Sequence, residues 1–168
     1  MNYGIGEQII HLSFGPGKII AIDEKSLAGQ THRYYVIDTG EMTIWVQVND
    51  MGEDSIRPLT GSFEFKKLFN ILRSPGEGLP EHHRDRKNQL IERMNKRILV
   101  NICSVIRDLT TRSKSANLNN NDRSILKLAE EYLVDEWELS LGTARSSAYK
   151  ELEVLLREDP STQALSTV

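Results

Sequence analysis

At Ser62 the hydrophobic spacing of this chain changes from a period of two to a period near 3.6, and it does not change back. Upstream, residues 5–12, 18–22, 33–38 and 42–48 are short runs rich in Ile, Val and Tyr. Turn formers separate them: the Ser13-Phe14-Gly15-Pro16-Gly17 stretch, then Ala28-Gly29, then Thr39-Gly40. In the run from Met42 to Val48, Met42, Ile44, Val46 and Val48 fall on one face, and Thr43, Trp45 and Gln47 on the other. Ile56-Arg57-Pro58 reads as a last short strand, closed by a proline that cannot donate to a ladder. Strands this short, joined by tight turns, predict a small antiparallel sheet, strongly bent or curled into an open barrel.

Downstream, Phe65, Leu68, Phe69 and Leu72 follow helical spacing until Ser74-Pro75-Gly76 breaks it. A second helix carries Leu90, Ile91 and Met94. A third carries Ile98, Ile102, Val105, Ile106 and Leu109. Asn119 with Asp122 can cap a fourth, which buries Ile125, Leu128, Ala129, Tyr132, Leu133 and Trp137 and ends near Gly142. A last helix holds Leu152 and Leu155. The predicted fold class is α+β, with a small antiparallel β-domain over residues 1–60. An all-α helical bundle follows over 61–158, then a flexible tail over 159–168.

Residues around a reactive centre are missing. Cys103 sits among Ile102, Val105 and Ile106 and reads as a small core residue, with no histidine close in sequence to activate it. His82 and His83 would point about 100° apart on a helix, and no Cys or His stands at ligand spacing, so no metal and no cofactor are expected. Gly15-Pro16-Gly17 lacks the Gly-Lys-Ser/Thr continuation of a phosphate loop. No catalytic residue is assigned. The N-terminus has no basic segment leading into an apolar run, and no stretch approaches the roughly 20 apolar residues of a membrane span. One cysteine permits no intrachain disulfide, so a reducing, cytoplasmic setting is expected.

Net charge is −3, but it is unevenly spread. Residues 1–60 carry 4 Lys+Arg against 8 Asp+Glu; residues 61–115 carry 12 against 6; residues 116–168 carry 5 against 10. A local field steers a polyanion more than a total does. The segment HHRDRKNQLIERMNKR, from His82 to Arg97, places Arg86, Arg93 and Arg97 within about 40° of one another on a helix. Such a stripe can neutralise phosphates or simply be a solvated rim, offset by Asp85 and Glu92.

The order of these motifs resembles the CarD/CdnL family. The opening "IGEQIIHLSFGPGKIIAIDEKSLAGQTHRYYVI", then "MTIWVQV" and "IRPL", is similar to the family's N-terminal domain, which the transcription-repair coupling factor shares. "FKKLFNILRSP" and "VIRDLTTRSKSANLNNNDRSILKLAEEYLVDEWELSLG" follow the helical half, and the resemblance covers roughly residues 4–156. It implies a Tudor-like β-domain that binds the RNA polymerase β subunit through Lys25, Leu27 and Trp45. It also implies a helical domain that stabilises the open complex through sequence-independent contacts to promoter DNA. Those contacts would come from His83, Arg84, Arg86, Lys87, Arg112 and Arg123. Such a protein would be a monomeric, non-enzymatic regulator associated with the nucleoid through polymerase. The alternative is a module of this fold that binds polymerase or another protein without touching DNA.

Two positions depart from the family pattern. Trp45 stands where relatives often carry arginine. His83 stands where the tryptophan that wedges into the minor groove is expected, and a smaller, polar ring wedges less well.

Overall fold

A computed structural model of the chain describes residues 3–27, 29–48 and 55–157, although the side chain of Leu27 lies outside the description. Residues 1–2, 28, 49–54 and 158–168 are likewise outside it, and with them the turn former Ala28 and the tail expected over 159–168. Contacts divide the chain into two compact units, Met1–Leu59 and Thr60–Val168. The fold class is α+β: a five-stranded antiparallel sheet, then helices.

In the first unit β1 (Gln8–His11), β2 (Gly15–Leu27), β3 (Gln30–Asp38), β4 (Thr43–Gln47) and β5 (Ile56–Pro58) pair in the order β4-β3-β2-β1-β5. The sheet is therefore open, with β4 and β5 at its edges. His11 organises the first hairpin: its buried ring accepts the N–H groups of Ser13 and Phe14 at Nδ1 (3.1 and 3.3 Å) and packs against the Phe14 ring. Gly15 follows at φ +82°, where a side chain would be strained. Gly17 is needed for a different reason: a Cβ there would lie 2.5 Å from Ile37 Cγ2.

Pro16 sits inside β2, opposite Ile10 of β1, while pairing to β3 begins only at Lys18. A missing donor is tolerated where a strand has one neighbour. A bulge between Ile19 and Ala21 bends the sheet and leaves Ile20 exposed. The core is Ile9, Ile19, Tyr35, Ile37, Val46 and Ile56.

β2 runs five residues past its expected end, and β3 starts three earlier than expected, forming a two-stranded ribbon from Asp23 to His32. Those residues are mostly exposed on both faces, so they lack the alternation that betrays a half-buried strand.

The second unit holds α1 (Ser62–Arg73), α2 (His83–Met94), α3 (Leu99–Ser113), α4 (Asn120–Leu141) and α5 (Arg145–Arg157). Phe65, Leu90, Ile102, Ile106, Leu109, Leu133 and Trp137 are among its most buried side chains, with α3 central. Asn119 accepts the Asp122 N–H at 2.8 Å, and Gly142 closes α4 in the left-handed region. Leu128 and Ile98, expected in the core, are exposed. Ile98 precedes α3 rather than joining it.

Between α2 and α3 a single 3-10 turn, Asn95–Arg97, holds two consecutive non-glycine residues at positive φ, Lys96 at 59° and Arg97 at 48°. Such residues cost on the order of 1 kcal/mol each and persist only when held. Asn95 Oδ1 accepts the Lys96 N–H at 2.9 Å, and the Arg97 guanidinium lies 3.5 Å from the centre of the Tyr132 ring. No helix among the described residues is long and apolar enough to cross a membrane.

Candidate protein and nucleic-acid interfaces

On the sheet, period-two alternation fixes what faces outward. Ile22, Tyr35 and Val46 are in register on the core face. One step along, Ala21, Val36 and Trp45 are in register on the opposite one. Trp45 is 42% exposed, as its alternation predicts. Lys25, further along β2 on the same face, places Nζ 3.2 Å from the centre of the Trp45 ring. The structure thus brings together two of the three residues expected to bind a protein. The pair is a cation–π contact worth about 0.5–1 kcal/mol at an exposed site.

Leu27 is placed by its backbone only, opposite Gln30 at the tip of the ribbon. Tyr34 and His32, neighbours of Trp45 on this face, escaped the sequence reading. Tyr34 is half-buried on this face, and the Gln47 side-chain nitrogen lies 2.9 Å from His32 Nδ1 beside it. The pairing of β3 with β4 brings Tyr34 and His32 next to Trp45, beside Gln47, which alternation along β4 already puts on that face.

On the helical unit the six expected DNA contacts separate into two groups. His83, Arg84, Lys87 and Arg123 are exposed. Arg86 is not, and its expected projection to solvent is corrected. It is 4% exposed, with Nε 3.1 Å from both Asp122 oxygens, Nη2 3.0 Å from Oδ2, and Nη1 donating to the Pro80 and Glu81 carbonyls at 2.8 Å. Arg112 donates both terminal nitrogens to the Glu81 carboxylate at 3.1 Å. That hydrogen bond and the charge of Arg112 hold the Glu81 carboxyl below its ordinary range.

The expected stripe of Arg86, Arg93 and Arg97 is therefore not a solvent-facing rim. Arg93 donates to Ser104 and Asp108 at 2.7 Å, and Arg97 lies over Tyr132. A helical wheel orders side chains by angle, whereas these three reach acidic or aromatic partners on other helices.

The buried Arg86–Asp122 pair also has a positional effect. It ties the first turns of α2 to the N-terminus of α4, so that Arg123, next to Asp122, belongs to the same end of the bundle as Arg84 and Lys87. His82 is the non-helical N-cap of α2, so its ring and that of His83 do not diverge by 100°; they lie 4.9 Å apart at 33°. No cluster of three or more His, Cys, Asp or Glu suited to a metal occurs among the described residues. Cys103 is fully buried, and burial with the nearby Glu136 charge pushes its thiol up to about 12.

Residues 67–153 match the family described as "CarD, C-terminal domain". Over 145 residues, spanning 83% of this chain and 93% of the relative, it is 29% identical to "Putative transcription factor YdeB" of Bacillus subtilis (strain 168). The family match spans helices α1 to α5, which carry the cationic end, and covers just over half of the sequence: the chain belongs to the CarD family.

Proposed function

We propose that this CarD-family chain is a transcription regulator that docks on the RNA polymerase β subunit through Lys25, Leu27 and Trp45. In this reading the sheet unit, residues 1–60, is the docking domain. The helical unit, 61–158, sets His83, Arg84, Lys87 and Arg123 against promoter DNA and prolongs the open complex. Family membership and the similarity to a protein named as a transcription factor support the regulatory role.

The observation that carries the docking half is the exposed Trp45 ring beneath the Lys25 ammonium. Tryptophan is among the commonest anchors of protein interfaces, and a lysine held over it adds direction. Once docked, a covalently joined helical unit meets DNA at high effective concentration, so a few phosphate contacts suffice without reading sequence. Preference for melted over closed DNA shifts the promoter equilibrium.

The test measures open-complex lifetime with purified polymerase. Wild-type protein lengthens it. Trp45→Ala weakens polymerase binding by about 2 kcal/mol, roughly thirtyfold, and abolishes the effect at matched concentration. An unchanged lifetime with wild-type protein refutes the reading.

A second reading, a polymerase-binding module that never touches DNA, is favoured by the internal use of Arg86, Arg93 and Arg112. Arg84→Glu with Lys87→Glu separates the two: normal polymerase binding and unaltered lifetimes support the module.

A further inference from the structure

Arg73 of α1, Arg107 and Lys114 of α3 and its end, and Arg157 of α5 line one cavity of about 450 Å³ in the helical unit. No carboxylate lines it among the described residues. We propose that this cavity binds a small phosphorylated anion of nucleotide size, an organic di- or triphosphate; the inference is independent of the DNA-binding reading.

Cations near helix C-termini are ordinary, because each terminus carries roughly half a negative charge. That accounts for part of the cluster, since Arg73, Lys114 and Arg157 all stand at or beside a last turn. It does not account for Arg107, which lies mid-helix and is 8% exposed. Arg107 donates Nε to Asp108 at 2.8 Å and Nη1 to Ser74 Oγ at 3.0 Å. Its Nη2 is ion-paired to the exposed Glu77 carboxylate at 3.2 Å but outside hydrogen-bonding geometry, so this buried nitrogen lacks a well-aligned acceptor among the described residues. A buried donor left open calls for a reason, and an anion in the cavity that Arg107 lines supplies one.

The wall is also closely packed at Gly76. Gly76 presses on Thr111 so closely that a Cβ would lie 2.3 Å from its hydroxyl oxygen. Lys114 has no ion-pair partner among the described residues, and the Arg157 pair with Glu153, at 3.4 Å between two exposed side chains, is readily exchanged. The volume falls within the roughly 300–1,000 Å³ of small-molecule sites, more than a lone phosphate requires. Leu72 and Leu156 give an apolar wall for the organic part.

The test is calorimetric titration of the full chain with ATP and with sodium triphosphate, at about 50 mM and about 200 mM salt. Lys114→Ala with Arg157→Ala leaves Arg107 and its buried partners in place, and circular dichroism checks that the fold is kept. Both compounds should bind, ATP more tightly than triphosphate, and the double variant should lose at least about tenfold in affinity. Lys127→Ala, an exposed cation outside the cavity, should stay within about twofold. Absence of saturable binding, or equal binding by the double variant, overturns the proposal. So does a result in which ATP fails to bind while the double variant loses affinity for duplex DNA, which makes the cluster a DNA contact.

Discussion

Replacing Arg86 by alanine tests whether a cation in the basic segment serves the fold or the ligand. Arg86 satisfies a carboxylate whose side chain is fully buried, that of Asp122, and two backbone carbonyls, those of Pro80 and Glu81. Removing one partner of a buried ion pair costs about 3–5 kcal/mol, because the other charge is left without compensation. The two carbonyls lie at half-exposed and exposed residues that water can reach, so they add little. The expected loss is about 4 kcal/mol, a large share of a typical domain stability of about 5–15 kcal/mol.

Urea unfolding followed by far-UV circular dichroism measures it. Arg86→Met with Asp122→Leu, which removes both charges and keeps apolar bulk, should lose well under half as much. Lys87→Ala, one position away and exposed, should leave stability within about 0.5 kcal/mol and lower DNA affinity. An Arg86→Ala protein as stable as the wild type, with its DNA affinity lost, would refute the assignment of Arg86 to the fold.

Three further predictions concern the interior. Burial alone would raise the Asp108 carboxyl, but hydrogen bonds from Arg107, the Glu77 N–H and Arg93 outweigh it and hold the group below its ordinary value. Its contribution is therefore complete above an unfolded value of about 3.9 and is lost as pH falls through the lower folded value. Asp108→Asn should flatten the acid limb of a stability–pH curve below about pH 4. The Cys103 thiol, pushed up to about 12 by burial and Glu136, should react with a disulfide reagent at neutral pH only as fast as the helical unit opens; immediate reaction of the native protein contradicts this. Trp137 is fully buried against Phe65 and Phe69, and its Nε1 has no acceptor among the described residues. Trp137→Phe should thus cost about 1–2 kcal/mol against about 3–5 for Trp137→Ala, leaving Trp45 as the only fluorescent tryptophan for polymerase titrations.

Much of this fold was legible because its two halves obey different periods. Ile44 and Val46 point inward and Trp45 outward, Asn119 caps α4 and Gly142 ends it, all from local rules. What stayed hidden depends on partners distant in sequence. The β2–β3 ribbon has no buried face, so its polar residues give no alternation to read. Arg86 looks like a phosphate ligand until Asp122, 36 residues away, is found beside it. The same holds for Arg93 and Asp108. Charge can be counted along a chain, but whether a cation is spent internally is settled only by tertiary pairing. At the candidate interfaces, exposed Trp45, Arg84, Lys87 and Arg123 were within reach of sequence reasoning, whereas Tyr34 and the His32–Gln47 contact were not.

The left-handed pair Lys96–Arg97 has a consequence for how such a protein changes over generations. The turn joining α2 to α3 runs through only three residues of backbone, while Leu90, Met94 and the Arg86–Asp122 pair hold α2 in the bundle. Glycine adopts positive φ without strain, so it is the replacement the backbone at Lys96 and Arg97 accepts best, although at Arg97 it gives up the Tyr132 contact. Selection can therefore vary this turn only among residues that accept positive φ, while α2 stays where the shared core puts it.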